Sequence, residues 1–456
     1  MINRSTTDNV LSSPITLSIL AAVVILILVI DGVVTSLPFF NLKSQRSDPV
    51  VLFFGIEVIV SSISQILLLR IVMIEFRKSS YTVSFLKSAN ITQYIVFILQ
   101  SLIIGLLFVI FLELVFFDEY NTLHLKIIVL VSISLSIGLL TLLAIRFVQW
   151  TRHRPDRLTI SYTVATALMA TTSLFLGLFM MVEMSDVPDI ITSSRMSITN
   201  SHVSNFELQN FQSNIGLVSY IAFWFASVLL LRRAFKNQRK IGFYLLVIFP
   251  LLYYVGFFQW IISSFLVNSD ILSTLQIYTF NIVGSILTRP VGGAILGIAF
   301  LIVSRKIHDP SVKNYMRLSS LGIMLLAISN EDARIYLLPY PPFGLVTISF
   351  MGISSYLLLV GIYYSSVSTS MNSQIRSMIE RSVDKELSFL SNIGRSQMEK
   401  QILNKVKILT ERFADDLAED SGVGISLKTE EIVNQISLVM KEKEAMTHKK
   451  NNNSKG

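Results

Sequence analysis

The sequence predicts an all-α membrane protein: a polytopic bundle of about ten transmembrane helices followed by a cytoplasmic amphipathic helical tail. Three observations carry that expectation. Hydrophobic residues make up 52% of the 456 positions and charged residues only 15%, where a soluble chain needs about a quarter charged to cover its surface. The apolar residues, 30 phenylalanines among them, gather in runs long enough to span a bilayer. Basic residues gather on alternate connections between those runs.

A run of about 20 apolar residues crosses a hydrocarbon core of about 30 Å as a helix. That criterion places spans near 14–36, 50–74, 93–117, 125–149, 159–182, 215–232, 241–266, 276–304, 316–332 and 343–366. Met1–Pro14 is polar and no small-residue cleavage site follows Ile15–Val34, so the first run reads as a retained helix and not a signal peptide. The ninth run is short and meets Asn330, Glu331 and Asp332; a re-entrant segment there would make nine spans.

Charge on the connections sets the orientation. One alternate set holds Arg70, Arg77, Lys78, Lys87, Arg146, Arg152, Arg154, Arg157, Arg232, Arg233, Lys236, Arg239, Lys240, Arg305, Lys306, Lys313 and Arg317, seventeen in all, and Arg4 joins it. The other holds five: Lys43, Arg46, Lys126, Arg195 and Arg334. Basic loops stay cytoplasmic, so with ten spans both termini are expected on the cytoplasmic side of a plasma membrane. The net charge of +8 thus reports topology and gives no reason to expect nucleic acid. On the outer side only Glu183–Ser213 is long; it is polar and too small for a core of its own, a connector or a cap over the helices.

After Ser370 the composition changes, and residues 371–456 carry 14 basic and 13 acidic side chains. Met371, Ile375, Ile379, Val383, Leu387 and Leu390 form one helical stripe, and Gly394 reads as a break after it. Met398, Ile402, Val406, Leu409, Phe413 and Leu417 then recur at spacings of 4, 4, 3, 4 and 4, a second stripe that presents a partner-helix face. Its occupant is a second copy or a cytosolic protein. Gly422 and Gly424 precede a last helix capped by Thr429, and disorder is expected from about residue 447.

No enzyme is legible. The chain has no cysteine, and His124, His153, His202, His308 and His448 have no ligand spacing, so neither a metal site nor a cofactor is expected. Phosphate loops, GxSxG and HExxH are absent. The residues that stand out are charges inside spans, each of which costs at least about 2.5 kcal/mol at mid-bilayer. Arg289 sits in the middle of the eighth span, and Pro290, Gly292 and Gly293 follow it, a broken helix with a charge at the break. Asp31, Glu57 and Glu113 lie in the outer halves of their spans, with Glu57 the deepest and so the best-placed partner for Arg289. These five residues, Arg289, Pro290, Glu57, Asp31 and Glu113, form the candidate binding set; the alternative is a structural ion pair. Leu338–Gly344 (LPYPPFG) reads as a rigid outer turn, because residues before proline are driven to extended backbone.

Val291–Phe300 (VGGAILGIAF), Leu338–Ser366 (LPYPPFGLVTISFMGISSYLLLVGIYYSS) and Ile393–Ile402 (IGRSQMEKQI) resemble a group of uncharacterised multi-pass membrane proteins of ammonia-oxidising archaea. The resemblance covers roughly the last third of the chain. It implies an archaeal plasma membrane and carries no functional residue across. Two functions compete: a sensor or receptor-like module that signals through the tail, and a transporter or channel with its site at Arg289. A lipid-modifying enzyme has less support, since no polar cluster marks one membrane face.

Overall fold

Inside lipid a backbone has no water to bond, so an apolar run closes its hydrogen bonds on itself as helix. The computed structural model describes residues 14–36, 48–78, 83–153, 155–185, 188–192, 206–234, 243–244, 247–248, 296–305, 307, 309–332, 340–371, 393–394, 396–399 and 402. They form α1 (Pro14–Ser36), α2 (Asp48–Lys78), α3 (Val83–Phe117), β1 (Glu119–Asn121), α4 (Thr122–His153), α5 (Arg157–Ser185), β2 (Ile190–Thr192) and α6 (Phe206–Ala234). Then come α7 (Leu296–Arg305), α8 (Pro310–Asp332) and α9 (Leu345–Met371). Six of these, α2 to α6 and α9, are long and apolar enough to cross a membrane. The architecture is that of an all-α membrane bundle, with one two-stranded sheet added to it.

Helix starts follow local chemistry. At α8, Asp309 accepts from the Val312 N–H through Oδ1 at 2.9 Å, with Pro310 in the first helical position, where a missing N–H costs nothing. At α4, Asn121 Oδ1 accepts from Leu123 N at 2.9 Å. The expected ninth span (316–332) falls within α8, one helix that runs through Asn330 and Glu331 and is not among the six long and apolar enough to cross a membrane.

β1 and β2 pair antiparallel, Tyr120 opposite Ile191. They define a sheet face of the bundle, where α1, α3 and α5 end and α2, α4 and α9 begin. The long connection after α5 is therefore pinned at residues 188–192 as a cap: Thr122 donates its N–H to the Asp189 carbonyl at 2.9 Å and its hydroxyl to Pro188 at 2.9 Å.

α9 is central and touches α1, α2, α3, α4 and α8. Its closest neighbour is α8, where Gly322 and Gly361 face the opposing backbone. A Cβ at Gly361 would lie 2.5 Å from Ser319 N, and one at Gly322 would lie 2.6 Å from Leu358 N. Small residues let helix backbones approach where no hydrophobic force drives them together. Two apolar clusters meet at α9, one built with α1, α2, α3, α4, α5 and α8, the other with α4, α5, α6, α7 and α8. Large apolar side chains on the far sides of α2 to α6 stay exposed, among them Leu52, Ile98 and Phe225, as a lipid-facing surface requires.

Most of the expected seventh span (241–266), most of the eighth with Arg289 and Pro290, and most of the tail lie outside the described residues.

Candidate functional site

The polar side chains of the bundle are concentrated along α9, in three groups from the sheet face to the opposite, tail face. The first caps the start of the helix. Phe343 and Gly344 precede α9 and offer no side-chain cap, and Gly344 has φ 86°, a left-handed backbone that suits glycine. The orphan N–H groups of a helix start need acceptors. Asp31 of α1, fully buried, supplies them: Oδ1 accepts from Gly344 N at 2.6 Å, and Oδ2 accepts from Thr347 N at 2.9 Å and from its hydroxyl at 2.6 Å. A carboxylate at this end also meets the positive pole of the helix dipole. An aspartate 313 positions away thus does the work of a local cap.

Above that cap sits the Pro-rich turn, with Phe343 N bonded to the Pro341 carbonyl at 2.8 Å. Tyr340 donates its hydroxyl to Asp118 Oδ1 at 2.9 Å and stacks on Tyr120 of β1 at 6.5 Å. Tyr120 is buried, and that burial pushes its phenol above the ordinary value, with the neighbouring Tyr340 adding to the effect. Glu113 is half-buried at the same face: it accepts from Asn121 N at 3.1 Å and pairs with His124 Nδ1 at 3.2 Å. The histidine and carboxylate that sequence spacing left apart are joined by the α3–β1–α4 corner. Among the described residues no group of three metal-binding side chains forms.

The second group lies deeper. Glu57 of α2 is 5% exposed, and neither carboxylate oxygen has a hydrogen-bond partner among the described residues. Among the described residues Asp31 is a carboxyl group near enough to act on it electrostatically. An uncompensated carboxylate is costly inside a low-dielectric bundle, and Arg289, the partner expected for it, lies outside the described residues. Below it, Gln100 Nε2 donates to Gln65 Oε1 at 2.6 Å, and Gln65 Nε2 donates to Ser349 Oγ at 2.7 Å. Gln100 also donates to the Ser349 carbonyl at 3.1 Å. Ser132 Oγ donates to the Ile348 carbonyl at 2.6 Å, and Ser136 and Ser355 share a bond of the same length. These bonds clamp α2, α3 and α4 onto α9.

The third group is at the tail face. Asn314 of α8 donates to Glu75 Oε1 of α2 at 3.3 Å, and Tyr315 stacks on Tyr364 at 5.6 Å. Arg146 of α4 lies over the Tyr363 ring at 5.2 Å. Here the tail returns to the bundle. Residues 393, 394 and 396–399 are helical; Ile393, Gly394, Ser396 and Gln397 are buried. Trp150 of α4 donates its indole N–H to Gln397 Oε1 at 3.2 Å, and Ser396 donates to the Trp150 carbonyl at 3.2 Å. Gly394 is itself helical, and residues before and after it that would show the expected break lie outside the described ones; a Cβ on it would come 2.8 Å from Thr369 Cγ2, so the missing side chain permits the contact.

Of the candidate binding residues, the structure brings Asp31 and Glu57 together, places Glu113 in the sheet-face cap, and leaves Arg289 and Pro290 outside the described residues. Of the tail stripe, Met398 and Ile402 are described and half-buried, while Val406, Leu409, Phe413 and Leu417 are outside. Sequence reading passed over Gln65, Gln100 and Trp150. Two glutamines inside apolar runs were a visible signal, since an amide in lipid seeks another amide or a hydroxyl; nothing local marks Trp150. Neither a family model, nor a curated protein, nor a solved structure matches this chain.

Proposed function

We propose that the chain is a multi-pass membrane sensor that passes a change at one membrane face to its C-terminal helical tail. The observation that carries this reading is the seating of Gly394, Ser396 and Gln397 on Trp150 and Thr369, at the tail-face ends of α4 and α9. The same α9 starts under the Asp31 carboxylate and the Tyr120–Tyr340 cap. One buried helix therefore has a polar latch at each end, and a shift of its start bears on the tail's seat. The proposal includes ten spans with both termini cytoplasmic, a plasma membrane of archaeal type on the resemblance above, and no catalysis. The stripe from Met398 to Leu417 is then the face a partner helix reads once the tail leaves its seat.

The test uses the cysteine-free full chain with one cysteine introduced at Glu399, reconstituted in vesicles. Asp31→Asn and Tyr340→Phe, both at the far end of α9, are expected to speed thiol labelling at position 399 several-fold. Labelling unchanged by both substitutions ends the transducing reading.

Glu57 favours a second reading, a proton- or cation-coupled transporter or channel, because a buried carboxylate without a donor among the described residues is where a mobile cation would stop. Potential-driven cation flux into wild-type vesicles that Glu57→Gln abolishes would support it. Wild-type vesicles as tight as empty ones remove it.

A further inference from the structure

The faces of α4 and α5 that point away from α9 enclose a groove of about 550 Å³. It runs from Leu123 to Ile137 along α4, opposite Leu178, Met181 and Met184 of α5. Fourteen residues of helix rise about 21 Å, enough to cross the half-thickness, about 15 Å, of one leaflet's hydrocarbon. Its walls are apolar, and Leu178 and Met181 are 47% and 54% exposed. One cation belongs to it. Lys126 sits at the end nearest the sheet face, half-buried, with no ion pair among the described residues.

We propose that this groove binds one membrane lipid with an anionic phosphate headgroup, its chain lying between α4 and α5 and its phosphate on Lys126. The depth fits a chain entering from a single leaflet. The lone ammonium at the water-ward end complements a phosphate and gives a zwitterionic lipid less, since a choline opposes it. The site stands independently of the signalling reading. It does touch the same helix: α4 presents Ile133 and Ile137 to the groove and Ser132 and Ser136 to α9.

The absence of cysteine from the chain makes the test clean. The full-length protein carries a fluorophore on Leu178→Cys, in the groove, or on Leu112→Cys, on the exposed side of α3 at similar depth. Both are reconstituted in phosphatidylcholine vesicles containing either brominated phosphatidylglycerol or brominated phosphatidylcholine as quencher. Position 178 is expected to prefer the phosphatidylglycerol quencher about fivefold, the contribution of one lysine near a membrane surface, and position 112 to show no preference. Lys126→Gln should bring position 178 to parity, while Lys126→Arg should keep the preference. Equal quenching at position 178 in the wild-type background, a preference that survives Lys126→Gln, or an equal preference at position 112 would each overturn the assignment.

Discussion

α3 and α9 invert the rule that holds in soluble proteins. The most apolar stretch of α3 has a mean hydropathy of 3.0, yet only 28% of it is buried. The corresponding stretch of α9 is less apolar at 2.0 and is 94% buried. In water, burial selects apolar side chains; in a bilayer the outside is already apolar, and the inside is where a hydroxyl or amide finds a partner. α9 accordingly carries Thr347, Ser349, Ser354, Ser355, Ser365 and Thr369, all buried. Several of them donate to their own helix, as Ser354 does to Phe350 and Thr369 to Ser365, so they cost little where no neighbour reaches them. α3 turns Ile98, Leu102 and Phe116 outward and keeps Gln100, its buried amide, for α2 and α9. Apolarity along a span here reports contact with lipid, and polarity reports the core.

The contrast can be broken most sharply with matched glycines. Gly361→Leu forces a side chain into the Ser319 backbone, where a Cβ already comes within 2.5 Å, and should cost about 3 kcal/mol or prevent folding. Gly105→Leu on α3 has open space around it and should change stability by less than about 0.5 kcal/mol. Unfolding in mixed detergent micelles reads both; equal losses would mean that the two helices are buried alike. Asp31→Ala removes three acceptor contacts from the start of α9 and should cost about 2 kcal/mol, the upper end for a lost cap. A midpoint indistinguishable from wild type would show that water replaces the carboxylate at that end. Gln65→Leu takes one hydrogen-bond partner each from the Gln100 amide and the Ser349 hydroxyl, a loss of about 1 kcal/mol, and a double-mutant cycle with Gln100→Leu should recover part of it. Phe116→Ala, on a side chain 73% exposed to the lipid side, is the smallest case, within about 0.5 kcal/mol. A loss above 2 kcal/mol would place Phe116 in a protein contact and end the lipid-facing assignment of α3.

Composition and run length alone determined that the described chain folds as helices apolar enough for a bilayer, because a backbone deprived of water has no other way to satisfy its N–H and C=O groups. They also marked Asp31, Glu57 and Glu113 as costly charges. What each charge does was decided only by which elements meet. Asp31 serves the α9 N-terminus because α1 runs beside it, Glu113 meets His124 because the chain turns back through β1, and Glu57 finds no donor among the described residues. The sheet between residues 119–121 and 190–192 had no trace in periodicity, since strands of three residues are too short to show one. The seat of the tail on Trp150 joins positions 246 and 247 apart in sequence. A run of hydropathy is a local property and can be read locally. A hydrogen bond between distant segments exists only once packing has chosen their neighbours.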